Sequence, residues 1–253
     1  MKFIHSIQSE WLKTKRTAAF WLCLIGGIFM PLIFFIASMY KWEVPADLSS
    51  SEGWQGFILQ MNSNLAVFLL PFGLILTSSL LTHIEYKNNT WKQWLTLPIP
   101  VSYVYFSKWI VMVLITLAFF IYFLLGILVS GTLAQLIIKG SLPAFDLPVL
   151  FILKFLIKGC VACVALLTFQ FLLGLLFKNV LVSIGIGILS YVVSAITFQK
   201  NEWWTYLNPC VYTTRTAQRD LFTFEQLNLY PLICTAVLLS IGYLAFKNKR
   251  QLG

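Results

Sequence analysis

Charge is scarce in this sequence, and acidic charge most of all. Only 11% of the 253 residues are Asp, Glu, Lys or Arg, nine of them acidic and eighteen basic. Ordinary soluble domains carry about 25% charged and about 45–50% apolar residues, whereas here 59% are apolar and 16% aromatic. So few charges cannot clothe a water-facing surface, which excludes a soluble globular protein and makes lipid the solvent for most of the chain. Histidine is equally scarce, with His5 and His83 the two present. The sequence has no Gly-x-x-x-x-Gly-Lys-Ser/Thr loop to cradle ATP and no His-Glu-x-x-His zinc helix. Five cysteines (Cys23, Cys160, Cys163, Cys210, Cys234) fall mostly within apolar runs, where free Cys behaves as a small hydrophobe, so no disulfide framework follows. The Cys160-x-x-Cys163 pair lacks partner ligands and reads as core packing. Net charge is +9, yet the basic residues sit between apolar runs rather than on a polar face, which argues against nucleic acid.

What is abundant is uninterrupted hydrocarbon. Six apolar stretches, 18–40, 57–81, 109–129, 159–177, 180–198 and 229–246, each lie near the roughly 17–25 residues of a spanning helix. Backbone groups left unpaired in lipid are costly, and the stretches do not alternate as barrel strands do, so each is expected to be helical. The expectation is an all-α integral membrane protein of six transmembrane helices in a single domain over 1–253. Lys178 and Asn179 alone clearly separate the fourth and fifth stretches, consistent with a tight hairpin. With the N-terminus taken as cytoplasmic, eleven Lys and Arg fall inside and seven outside, the asymmetry expected when both termini are cytoplasmic. Residues 1–17 carry Phe3, Ile4, Ile7 and Trp11 at helical spacing with Lys2, Gln8, Ser9 and Lys13 elsewhere around the turn, as in a helix lying on the inner membrane surface. A solvated leader is the alternative. The outer loop 199–228 holds Trp203, Trp204, Tyr206 and Tyr212, candidates for an interfacial aromatic belt.

Inside, only 83–108 has any size. It runs from His83 and Glu85 through Lys87, Asn89, Thr90, Trp91, Gln93, Trp94 and Leu95 to Pro98 and Pro100. Thr90 followed by Gln93 has the form of a capping box, so a short helix is expected there with Trp91, Trp94 and Leu95 on one face and Pro98 as its stop. An interfacial anchor that floats its Trp rings among headgroups is the other reading. This loop resembles that of the permease subunits of type-2 ABC transporters. These have six spans, cytoplasmic ends, an N-terminal surface helix and a first inner loop in which an acidic residue precedes a polar, Thr-containing stretch ending in Leu-x-x-Pro-type sequence. Glu85, Asn89, Thr90 and the tail 95–100 match that pattern, and Ser9-Glu10-Trp11-Leu12-Lys13 resembles the lead into the first span. The Gly that often precedes the Thr is Asn89 here. The small bacterial subgroup that includes lantibiotic-immunity permeases is the most similar.

The resemblance implies that the loop is a cytoplasmic coupling helix in which Glu85, Lys87, Thr90, Trp91 and Trp94 contact a separate cytoplasmic ABC ATPase. It implies that ATP and Mg bind on that partner, with no cofactor on this chain. It also implies that a second permease copy or a related permease completes the pathway. The cargo would be an amphipathic or hydrophobic compound, an antimicrobial peptide among the candidates. Polar residues within spans are pathway candidates because lipid tolerates them poorly: Gln60, Asn62, Ser63 and Asn64 cluster in the second span, with Pro71 and Gly73 halfway along it. Bonds between neighbouring helices explain them as well. Lys154 and Lys158 either attract an anion or snorkel to the surface. A stand-alone channel or secondary transporter, or a non-enzymatic membrane assembly factor, remains the alternative; a membrane enzyme would need clustered catalytic residues that two histidines do not supply.

Overall fold

The computed structural model describes residues 2–15, 17–40, 48–87, 100–143, 146–197, 202–217 and 226–251. The chain is an all-α integral membrane protein. In order come α1 (Lys2–Thr14), α2 (Ala18–Met39), α3 (Ser51–Val67), α4 (Leu69–Lys87), α5 (Val101–Lys139), α6 (Val149–Leu176), α7 (Val180–Thr197), a 3-10 turn (Trp203–Leu207), α8 (Val211–Arg215) and α9 (Gln226–Gln251). By length and composition α2, α5, α6, α7 and α9 can each cross a membrane; α3 and α4, bent by 56° at their break, pass the same test as a pair and are read as a sixth, broken span. That break is the chief departure from the single stretch 57–81. Three other helices outrun their apolar stretches, with α5 39 residues long, α6 28 and α9 26, because a helix continues past the hydrocarbon wherever its ends find partners. Gly140 stops α5 by adopting φ 68° as a left-handed cap. The fourth and fifth spans part where expected, and Asn179 starts α7 by accepting a hydrogen bond from Leu181 N at 2.9 Å.

Lipid offers no hydrophobic force between helices, so close approach and polar bonds hold the bundle together. Along the α2–α5 seam, a Cβ placed on Gly27 would stand 3.0 Å from the Phe119 carbonyl, and one on Gly126 would meet Pro31 at 2.9 Å. Aromatic side chains fill the centre, with Trp54, Phe57, Phe120, Phe123, Phe155 and Phe171 buried. Tyr105 at the start of α5 donates to the Leu239 carbonyl of α9 at 3.0 Å, which sets both chain termini at one end of the bundle. At the far end the 202–217 segment folds inward instead of lying flat. Tyr212, expected in an aromatic belt, is buried and donates to the Tyr206 carbonyl, whereas Trp203 is exposed.

The N-terminal helix docks on protein along one face. Phe3 meets Tyr103 with ring centroids 5.4 Å apart, Ser6 donates to Ser107 Oγ at 3.1 Å, and Lys108 donates to Glu10 at 2.8 Å. Ile4 and Leu12 stay exposed, free to enter lipid. Glu10 and Lys108 are both nearly fully buried, and Lys13 adds a second contact to the carboxylate at 2.6 Å. Burial alone would raise the Glu10 pKa, but the charges and hydrogen bonds of Lys108 and Lys13 outweigh it and hold the carboxyl below its ordinary 4.5. Its contribution to stability is therefore complete above pH 4.5 and is lost as pH falls through the lowered folded value. Glu10→Gln leaves the Lys108 cation buried without its carboxylate, at a cost of about 3–5 kcal/mol. Limited trypsin digestion should then cut faster at Lys13 and Lys15, and Glu10→Gln with Lys108→Met should recover most of the protection. Unchanged digestion of the single variant would show that the pair does not hold α1.

Candidate functional site

The break in the second span begins with one residue. In an unbroken helix the N–H of residue 71 would donate to the carbonyl of Val67, but Pro71 has no N–H and its ring crowds that carbonyl. The chain answers at Phe68, where φ −138° and ψ −56° end α3, and the helix restarts with Phe72 N donating to the Phe68 carbonyl at 3.2 Å. The carbonyl stranded at Val67 takes its hydrogen from Tyr191 of α7. The Tyr191 ring also meets Phe72 edge-on at 5.2 Å, and Phe72 stacks on Phe68 at 4.3 Å. The bend is thus held from outside the span, by α7.

At the other end of α4 the same neighbours take hold again. Gln170 of α6 is fully buried, and its Nε2 donates to Ser79 Oγ of α4 at 2.6 Å and to the Ser183 carbonyl of α7 at 2.8 Å. One turn further, His83 sets Nδ1 2.9 Å from its own helix's Ser79 carbonyl and Nε2 3.1 Å from the Phe177 carbonyl in the α6–α7 turn. Backbones come close here, since a Cβ on Gly174 would lie 2.6 Å from Thr82. A polar joint therefore fastens the last turns of α4 to the α6–α7 hairpin.

Between the bend and the joint lies a cavity of about 350 Å³, walled by α2, α4, α5 and Leu167 of α6. This is within the roughly 300–1,000 Å³ of small-ligand pockets. Leu22, Ile25, Phe29, Phe68 and Leu76 line it and are exposed, so it opens sideways between α2 and α4. Of the four hydroxyl and thiol side chains that line it, Ser78 among them, three are turned to backbone carbonyls: Thr77 donates to the Gly73 carbonyl at 2.7 Å, Thr116 to Met112 at 3.0 Å and Cys23 to Ile115 across the helix pair at 3.3 Å. The walls can offer dispersion and shape but little hydrogen bonding.

The residues expected to contact an ATPase fall at the edge of what is described. The backbone of Glu85 and Lys87 forms the last turn of α4, while their side chains, and Thr90, Trp91 and Trp94 entirely, lie outside the described residues. The four polar residues Gln60, Asn62, Ser63 and Asn64 sit in α3, away from the cavity lining. Asn62 is buried and donates to the Thr216 carbonyl at 2.7 Å, tying α3 to the inward-folded far-end segment. Ser63 donates to its own helix at Gln60, and Asn64 is exposed. Sequence reasoning missed Glu10, Gln170 and Tyr191. Gln170 had a signal, a lone amide inside a long apolar helix; Glu10 had one too, a carboxylate in register with Phe3 and Ile7. Tyr191 had none. Lys154 and Lys158 lie in the first half of α6, Lys154 exposed and Lys158 half-buried. Among the described residues no three His, Cys, Asp or Glu side chains gather as a metal site would require.

The bend makes a double-mutant cycle decisive. Tyr191→Phe leaves the Val67 carbonyl, at membrane depth, without its donor and should cost about 1–3 kcal/mol in detergent unfolding, toward the lower figure because an unfolded chain in lipid also finds partners. Pro71→Ala restores the main-chain donor, so in that background Tyr191→Phe should cost under about 0.5 kcal/mol. Equal costs in both backgrounds would remove Pro71 as the cause of the bend.

A comparison with curated proteins finds no match. A family model does match, over residues 6–194, which takes in most of α1, all of α2 to α6 and most of α7, and so includes the broken span, the joint and the lateral cavity. That model is described as ABC-2 family transporter protein, and with more than half of the 253 residues covered, the chain belongs to the ABC-2 family of transporter permeases.

Proposed function

We propose that this chain is the membrane-spanning subunit of an ATP-driven exporter, in which the inner loop 83–108 passes the closure of a separate cytoplasmic ABC ATPase to the spans. The joint at Ser79, His83, Gln170 and Ser183 carries this reading. A loop that moves must drag something, and α4 is fastened to the α6–α7 hairpin within a turn of the point where the loop begins. α4 is also free to change its angle to α3, because no main-chain hydrogen bond crosses from Val67 to Pro71. Such an arrangement is a lever that is stiff at the driven end and jointed in the middle of the membrane. Alternating access needs two packings that a partner can bias, and a rigid segment pivoting at a break supplies them.

In this reading ATP and Mg bind on the partner, and both termini face the cytoplasm with it. Glu85, Lys87, Thr90, Trp91 and Trp94 form the contact. A second copy of this chain or a related permease encloses the pathway. The apolar walls of the cavity support an amphipathic or hydrophobic cargo, since a strongly polar one would find few hydrogen-bonding groups there.

Purification in mild detergent from native cells should bring down a P-loop ATPase in stoichiometric amount. In the reconstituted complex, Trp91→Ala and Glu85→Ala should weaken contact with the ATPase, whereas His83→Ala should leave the complex assembled and lower cargo-stimulated ATP hydrolysis by about tenfold, within the usual 5–150-fold span of coupling energies. Stimulation unchanged in all three variants would remove the loop and the joint from the mechanism.

A further inference from the structure

The lateral cavity has a definite shape and a definite neighbourhood. It follows the chain from Phe68 at the break to Leu81 of α4, and α2 from Leu22 to Phe29. Thirteen residues of helix rise about 20 Å, somewhat more than the roughly 15 Å of one leaflet of hydrocarbon. The slot therefore runs along α4 and has its mouth between two membrane-spanning segments, where acyl chains are the one abundant molecule. Glycines at Gly26 and Gly73 keep it open: a Cβ on Gly73 would have nothing within 4 Å, and one on Gly26 would only touch Phe119 at 3.5 Å. Rings at Phe29, Phe68, Phe72 and Phe119 supply the walls. A void between such walls forfeits their dispersion contacts, and a flexible hydrocarbon chain entering from the side restores them without any hydrogen bond to satisfy.

We propose that this slot is a binding site for one linear acyl chain, taken sideways from a membrane lipid in the leaflet on the side of the chain termini. The headgroup end then lies toward the α1–α2 turn, where Lys15 stands just before the start of α2, so anionic phosphatidylglycerol is the probe. The proposal deepens the exporter reading, since it assigns the apolar cavity an acyl-bearing amphiphile. The site itself does not require a partner ATPase, and its test uses none.

The experiment reconstitutes the full chain in vesicles of phosphatidylglycerol that carry a photoactivatable diazirine along one acyl chain, irradiates them, and maps adducts by peptide mass spectrometry. The expected result is adducts concentrated on slot residues of α4 and α5, such as Thr77 and Thr116. Gly73→Leu fills the slot from α4 and should lower those adducts about tenfold while labelling of Leu189 and Ile196 on the exposed face of α7 stays as it was. Gly26→Leu fills it from the opposite wall and repeats the test should the first variant fold poorly. Gly185→Leu, on α7 and also with nothing within 4 Å, should change nothing. Adducts spread evenly over all exposed apolar faces, or unaffected by both filling variants, would overturn the proposal. So would a slot that stays unlabelled because side chains of a second copy occupy it. Labelling as expected in a chain that never copurifies with an ATPase would leave the acyl site standing and remove the exporter reading; the converse pair of results would do the reverse.

Discussion

A missing hydrogen organises the middle of this membrane protein. Pro71 brings no N–H into a span whose every other backbone group must find a partner without help from water. The carbonyl it strands at Val67 is the reason Tyr191 of α7 reaches across to the break, and the break is the reason α3 and α4 meet at 56°. Other features depend on that angle. The bend leaves α4 packed against α6 and α2, with the slot opening between α2 and α4, and it turns α3 toward the far-end segment that Asn62 holds. A straight second span would fill the slot with its own side chains and leave Tyr191 nothing to bond.

The two ends of α4 are held by different physics. At the bend the restraint is one hydroxyl and a set of ring contacts, which permit a change of angle. At the joint Gln170, Ser79, Ser183 and His83 form a network in which each hydrogen bond is worth only about 0.6 kcal/mol on average in a bilayer, yet together they fix three helices at once. Their value is geometric more than energetic, because a buried amide with two acceptors on two helices allows few relative positions. Beyond the joint, α1 sits against the start of α5 through the buried Glu10–Lys108 pair. A buried pair of this kind adds little net stability over an apolar pair of the same shape, while losing one member is costly. Its use here is to fix the register of a surface helix that the rest of the fold touches only on one side.

The spans could be read from the sequence because they depend on composition: hydrocarbon needs apolar runs of a set length, and these are plain in the chain. The α6–α7 turn was legible for a similar reason, since Lys178 and Asn179 interrupt an apolar run too long for one helix. Pro71 and Gly73 were visible as residues but not as a hinge and the floor of a slot, for their effect depends on which helix faces them. Facing is what a membrane sequence hides. In water a helix shows its buried side by apolar periodicity; in lipid both sides are apolar, so Phe29 on the slot and Ile33 on the outer surface look alike. Long-range polar contacts were hidden for the same reason. Nothing about Tyr191 in its own neighbourhood announces a bond to a carbonyl 124 positions earlier. The inward fold of 202–217 was missed because its aromatic residues satisfy a belt and a buried plug equally well.

The slot and the bend touch the same residues, and this links them thermodynamically. Phe68 and Phe72 line the slot and stack across the break, and Phe72 also carries the ring of Tyr191. Any change of angle between α3 and α4 must re-place these rings, so an acyl chain lying among them cannot bind the two angles with equal affinity. The linkage runs both ways: whatever straightens or sharpens the bend alters the hold on the chain, and an occupied slot biases the bend. Differential affinity limits the size of this effect, and a slot without polar anchors has shape alone to differentiate by. That limit suits a carrier. A site that gripped its cargo through fixed hydrogen bonds would have to break them on every cycle, whereas one that holds by fit releases when a few rings turn.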